Sequence, residues 1–342
     1  MKIGILAPIA WHIPPRKYGP WEQVAGSLAD GLASRGIDVT LFATAQAKTK
    51  ARLEAIVPEP YLESGTWSPQ VAESLHFSHC FEHAGEFDLI HNHVNCYPLA
   101  FAPFVRTPIL TTLHGSALLE PPTHPLYLRF KHLPYVSISD AERLGLPELN
   151  YVATIYNGVD LARFTFHPGA GEYLVFLGRI SPKKGTHLAI EIARRAGVRL
   201  KVAAYVPEDE RGYFDAAVKP LLGGRIEFVG EVGPRERDEL LGQALGLLHP
   251  TTVPEPFGLT LVEAQATGTP VIGFDNGSVP EVVRDGETGF VVQDVDQAVA
   301  AVGRLEEIDR RRCREWVEER FTLEKMVDGY IDAYRNVIAG DQ

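Results

Sequence analysis

Short apolar runs alternate with longer amphipathic stretches along the first half of the chain. KIGILAP (2–8), DVTLFAT (38–44), FDLIHNH (87–93), PILTTLH (108–114) and YVSIS (135–139) are rich in β-branched residues and bounded by turn signals. This is the pattern of strands buried on both faces. Between the first two runs, residues 21–36 place Val24, Ala25, Leu28, Ala29 and Leu32 at helical spacing, and Gly36 suits the C-terminal cap. Strand, helix, strand in this rhythm predicts βαβ units and a parallel sheet.

The rhythm restarts after a Gly- and Pro-containing stretch at 157–172, read as a hinge. The pattern then predicts strands at 173–179, 199–205, 225–231, 246–251 and 269–274. Helices are expected over about 185–196, 210–221, 235–244 and 259–267. The chain thus divides into a first α/β domain, 1–160, and a second, 172–320, with a strongly amphipathic helix over about 322–339. Two open parallel sheets in series leave a cleft between them. Ligands of such sheets bind beyond the carboxyl ends of strands, so function is expected in the loops that follow strands.

A length of 342 residues with 45% hydrophobic and 23% charged positions supplies two ordinary cores. The formal net charge of −11 argues against a nucleic-acid partner or a broad anionic-membrane surface. A local basic pocket for phosphate needs only two or three cations and stays open. Cys80, Cys96 and Cys313 are odd in number and form no CxxC pair, so neither a disulfide framework nor a zinc knuckle is expected, and a cytoplasmic setting fits. The start, MKIGILAPIAWHIPP, reads as a buried first strand rather than a signal peptide. No apolar run is long enough for a transmembrane segment.

Two loops carry candidate chemistry. GRISPKKG (178–185) ends a strand with Arg179, then brings Lys184 and Gly185 to the start of a helix. Cations beside free helix-start N–H groups make a phosphate site, although the loop alone also suits a solvated basic turn. It is neither a Walker loop nor a dinucleotide fingerprint. In EPFGLTLVE (255–263), Pro254, Pro256 and Gly258 mark a turn into a helix, with Glu255 before it and Glu263 about one turn inside. Free N–H groups near Gly258 to Thr260 can hold hydroxyl or phosphate oxygens, and carboxylates suit vicinal hydroxyls. A capping carboxylate and an exposed helix glutamate would give the same spacing. Asp294-Val295-Asp296 matches a DxD metal motif but better suits a helix N-cap with a first-turn acid. His91-Asn92-His93 places two imidazoles on one strand face without a third ligand at convincing spacing.

Over almost its whole length the chain resembles the family 4 glycosyltransferases, retaining enzymes of GT-B fold. The matches are FLGRISPKKG, IEFVGEVGPRERDELLGQALGLLHPT, EPFGLTLVEAQATGTPVIGF and GSVPEVVRDGETGFVV in the second domain. YGPWEQVAGSLADGLASRGIDVTLFAT, TTLHG, VSISDAER and YNGVDLARF match in the first. The resemblance implies two Rossmann-like domains facing a central cleft, the first on the acceptor side and the second holding a nucleotide-sugar donor. The terminal helix would cross back to the first domain.

The implied site follows residue by residue. Arg179 and Lys184 match the pair that binds the donor diphosphate, and Glu255 the glutamate that faces the donor sugar. Phe257, Gly258, Leu259 and Thr260 match the turn whose amides hold sugar hydroxyls and phosphate. Glu263 matches the glutamate on the ribose hydroxyls, and Glu231 stands where the chain passes the nucleobase. His114 matches the histidine beside the transferred sugar, and Gly19 the loop approaching the β-phosphate. Of these, His114, Glu255, Arg179 and Lys184 are implied in the transfer step. The family often has Gly-Gly where this chain has Gly19-Pro20, and proline removes one amide donor.

The implied activity is transfer of a hexose, with retention, from a nucleoside diphosphate sugar, UDP- in preference to GDP-. No metal and no cofactor are expected. The acceptor is a small molecule, a glycan or a lipid-linked molecule, which leaves peripheral membrane contact open, and loops 45–70 and 116–134 are expected to shape its site. A sugar phosphorylase, a nucleotide-sugar epimerase and a non-catalytic sugar-nucleotide binder share parts of this pattern. Release of nucleoside diphosphate on transfer separates them.

Overall fold

A computed structural model of the chain describes residues 1–169 and 171–340. Ala170, within the expected hinge, lies outside them. The chain forms two compact units, Met1–Gly158 with the segment from Leu323 onward, and Val159–Thr322. Each is built on one parallel sheet.

The first unit contains β1 (Lys2–Leu6), β2 (Asp38–Phe42), β3 (Arg52–Glu54), β4 (Leu89–Asn92), β5 (Ile109–Thr112), β6 (Pro134–Ser137) and β7 (Asn150–Thr154). Their order is β3-β2-β1-β4-β5-β6-β7. β4 and β5 are buried along their whole length, and β1 and β2 are buried past their first residue. That burial explains their continuous apolar character. β3 and β7 lie at the sheet edges, are only partly buried and carry polar residues, so the apolar pattern does not reveal them.

The helices that matter here are α1 (Pro20–Ser34) and α2 (Pro69–Glu82) in the first unit. The second unit has α3 (Thr186–Ala196), α4 (Pro234–Gly242), α5 (Leu259–Ala266), α6 (Val295–Val302) and α7 (Arg310–Arg320). α8 (Leu323–Gly340) returns to the first unit. Its buried face is Met326, Val327, Tyr330, Ile331, Ala333 and Tyr334, a helical stripe. It lies close on α1: a Cβ on Gly31 would stand 2.5 Å from a Val327 methyl.

The second sheet has β8 (Tyr173–Arg179), β9 (Arg199–Tyr205), β10 (Ile226–Gly230), β11 (Gly246–His249), β12 (Val271–Phe274) and β13 (Gly289–Val292). Its order is β10-β9-β8-β11-β12-β13. In both sheets the chain first builds outward on one side and then on the other. The crevices at this reversal lie past the ends of β1 and β4, and of β8 and β11, where doubly wound sheets bind ligands.

One expected helix differs. Residues 210–221 form a short α turn at Arg211–Tyr213, a π segment at Phe214–Val218 and a 3-10 turn at Lys219–Leu221. Pro220 is the physical cause: it has no N–H and its ring crowds the carbonyl four residues back. α7 is missed by pattern because it is mostly charged. Arg310, Cys313, Trp316 and Val317 alone fix its buried side.

Gly31→Ala should lower stability by about 1–3 kcal/mol by overpacking the α1–α8 contact. An unchanged urea midpoint would show that the helices separate without cost.

Candidate functional site

The site residues expected from sequence fall into two groups, one per unit. In the second unit they gather at the β8/β11 reversal. Arg179 is the exposed last residue of β8. The chain then turns through Ser181, whose hydroxyl accepts from Lys184 N at 3.2 Å, into a 3-10 turn at Pro182–Lys184. Gly185 follows with φ +69°, and a Cβ there would meet the Pro250 carbonyl at 2.0 Å. Glycine therefore lets the loop after β8 lie directly on the loop after β11. The Lys183 carbonyl ties them further. It accepts from Thr252 N at 2.8 Å and from the Thr251 hydroxyl at 3.1 Å.

This stitching delivers Lys184 to Glu255. Lys184 Nζ lies 2.5 Å from Glu255 Oε2, and His249 Nε2, at the end of β11, reaches the same oxygen at 2.8 Å. Glu255 is 6% exposed. Burial pushes its carboxyl up, but Lys184 and His249 outweigh burial and hold it well below the usual carboxylate range. The Glu255 backbone is fixed from the other side by Gly277. Gly277 has φ +64°, and a Cβ there would stand 2.3 Å from Glu255 N.

Phe257 is buried with its ring 5.9 Å from Phe321 in an edge-on contact, which anchors the turn. Gly258, at φ 81°, begins α5, whose first residues are Leu259 and Thr260. Among the described residues no side chain caps this end. Its first N–H groups are the unpaired donors of any helix start, oriented for oxygen atoms or anions. Glu263, one turn in, is 1% exposed. Its Oε1 accepts from Arg237 Nη1 of α4 at 2.7 Å, and its Oε2 is buried without a partner among the described residues. Glu231 follows β10, exposed and without a hydrogen bond to these groups among the described residues.

Sequence reading misses His249 and Arg237. Each is a single residue on its own element, and only the fold brings it to a glutamate. The apolar strand GLLH ending in a polar residue is the available signal for His249. The Asp294 side chain accepts from Gln297 N at 2.9 Å as the N-cap of α6, and Asp296 pairs with Arg195 at 2.5 Å. No cluster of three metal-ligating side chains suited to an ion occurs among the described residues.

In the first unit, Gly19 is buried with φ 145°, and its carbonyl accepts from Gln23 N at 3.0 Å. Pro20 is the first residue of α1, where a missing N–H costs nothing. His114 follows β5 and is 7% exposed, with Trp21 stacked on it at 5.7 Å between ring centres. Burial pushes its imidazole down to about 3, so the ring is neutral. Gly115 N donates to the buried Glu142 at 2.5 Å, which fixes the backbone next to His114.

The model of "Glycosyl transferases group 1" matches residues 161–336, and that of "Glycosyltransferase Family 4" matches residues 22–163. The chain belongs to the family 4 glycosyltransferases. The Mycobacterium tuberculosis phosphatidyl-myo-inositol mannosyltransferase is 26% identical, over 92% of this chain and 89% of that protein. Glycogen synthase of the same species is 27% identical over 86% and 84%. Among solved structures, AviGT4, a glycosyltransferase of avilamycin A biosynthesis, superposes with a TM-score of 0.76 at 24% identity, covering 99% of this chain and 98% of that one. Anabaena HepE, solved with UDP and glucose, gives 0.75 at 21% identity over 98% and 100%. These structures establish the fold as GT-B.

Lys184→Met should cost about 2–3 kcal/mol of stability, because it leaves a buried carboxylate with His249 as its main partner. Adding Glu255→Gln should restore most of that loss. Equal urea midpoints for the single and double variants would mean the pair is not coupled.

Proposed function

We propose that this glycosyltransferase moves a hexose from a UDP-sugar to an acceptor hydroxyl with retention of anomeric configuration and without a metal ion. The observation that carries the reading is the Glu263 carboxylate. One oxygen is held by Arg237, and the other is buried with no donor among the described residues. A buried acceptor left empty costs free energy that a ligand hydroxyl would recover. Its place on α5, one turn from an uncapped start, suits a ribose whose diphosphate lies at the helix N-terminus. That the related HepE fold was solved with UDP-glucose supports a uridine nucleotide.

In this reading the diphosphate of the donor takes Arg179, Lys184 and the amides of Gly258, Leu259 and Thr260. Negative charge grows on the departing phosphate as the sugar centre becomes cationic. Fixed cations and N–H groups placed at the leaving oxygen lower that barrier without reorganising. Glu255 faces the donor sugar, and His249 keeps it partnered while Lys184 turns to phosphate. Phe257 holds the turn in place. Glu231 serves the nucleobase side. In the first unit, His114 is assigned to the transferred sugar and Gly19 to the β-phosphate loop. Two cations and a helix terminus supply the charge that a divalent metal would otherwise provide.

Titration calorimetry with UDP tests the donor site. Glu263→Gln should weaken UDP about tenfold, the worth of one hydrogen bond to a charged group. Unchanged affinity would remove Glu263 from the ribose. Glu255→Ala should leave UDP bound at least as tightly, because Lys184 no longer has to leave a carboxylate, and cut turnover by roughly 10²-fold or more. Full retained turnover would end its sugar-facing role. EDTA should leave transfer unchanged; an activity lost to EDTA and restored by Mn²⁺ would refute metal independence.

A further inference from the structure

The first unit contains buried titratable groups that the donor chemistry leaves unused. His91 lies in β4, His93 follows the strand, and both are fully buried. They are linked ring to ring with His114. His114 Nε2 lies 3.0 Å from His93 Nδ1, and His93 Nε2 lies 3.1 Å from His91 Nδ1. Behind them, His91 Nδ1 reaches the Tyr334 hydroxyl at 2.7 Å, and His91 Nε2 reaches the Thr112 hydroxyl at 2.7 Å. The Thr112 hydroxyl is 2.9 Å from that of Tyr330. Tyr330 and Tyr334 both stand on the buried face of α8.

Burial drives all three imidazoles well below their ordinary range, so each ring is neutral and carries one N–H. Where two ring nitrogens meet, one must hold the hydrogen and the other a lone pair. A hydrogen on His93 Nδ1 leaves His114 Nε2 bare and places the His114 hydrogen on Nδ1. A hydrogen on His114 Nε2 does the reverse. The two tautomers are therefore locked together. Nδ1 is the His114 nitrogen without a hydrogen-bond partner among the described residues.

We propose that His93 is a positioning residue that fixes the ring orientation and the tautomer of His114. It thereby decides whether His114 Nδ1 offers a hydrogen or a lone pair to a sugar hydroxyl. This inference rests on the reading of His114 as the residue beside the transferred sugar.

Two isosteric variants separate positioning from packing. Asparagine places an amide atom near the site of Nδ1, so His93→Asn keeps the His114 contact and loses His91. Glutamine places it near Nε2, so His93→Gln keeps His91 and loses His114. Turnover should stay within about threefold in His93→Asn and fall about tenfold or more in His93→Gln, with donor KM unchanged. Nitrogen-15 spectra of histidine-labelled protein should show one His114 tautomer in the wild type and a mixture in His93→Gln. Equal losses in both variants overturn the proposal, as does a single His114 tautomer in His93→Gln. A wild-type spectrum with both tautomers populated overturns it without any variant. His114→Ala tests the underlying reading separately: wild-type transfer there removes His114 from the sugar, while the nitrogen spectra still decide the tautomer lock.

Discussion

A buried carboxylate needs compensation from every side, and Glu255 shows how much local structure that demands. Its Oε2 takes Lys184 and His249 together, one from the loop after β8 and one from the end of β11. His249 lies six residues before Glu255 on the same segment, but the Lys184 contact forms only if the two loops touch. They touch because Gly185 has no side chain against Pro250, and because the Lys183 carbonyl serves the 251–252 backbone and hydroxyl. On the far side, Gly277 admits the Glu255 backbone at a distance no Cβ allows. The ion pair thus depends on backbone geometry set several residues away.

Sheet topology decides which loops can meet in this way. β8 and β11 are neighbours in the second sheet although three helical connections and two strands separate them in sequence. β1 and β4 stand in the same relation in the first. The same reversal carries opposite chemistry in the two units. In the second it assembles ions: Lys184 with Glu255, and Arg237 with Glu263. In the first, the ends of β4 and β5 bring together neutral rings, His91, His93 and His114, with no carboxylate among their hydrogen-bond partners within the described residues. In the proposed reading the charged group serves the departing phosphate and the neutral rings serve sugar hydroxyls.

Much of this is legible in sequence. The central strands read clearly because burial on both faces leaves an unbroken apolar run, and β8 and β9 fall on the expected residues. The edge strands β3 and β7 do not, since half-buried strands tolerate polar residues. Lys184, Glu255 and Glu263 stand out by motif spacing, which is local. The pairing of Lys184 with Glu255 spans 71 positions and that of Arg237 with Glu263 spans 26. Such distant partners have no spacing signal, so Arg237 becomes visible only in the fold, whereas His249 leaves the weaker signal of a polar residue ending an apolar strand. The HNH run raises the question of metal ligands. The structure instead commits His91 and His93 to hydrogen bonds with each other and with hydroxyls.

The doubled contact on Glu255 has a consequence for exchange of partners. A lysine bound to one carboxylate can move to an incoming phosphate only if the abandoned carboxylate keeps another donor, since a buried unpaired charge costs several kcal/mol. His249 is that donor, already at 2.8 Å on the same oxygen. It lowers the cost of releasing Lys184 without requiring Glu255 to move, so the carboxylate can hold its place while its cation turns to the ligand. On the proposed assignment of Lys184 to the donor diphosphate, the two contacts on one Glu255 oxygen make the ion pair exchangeable.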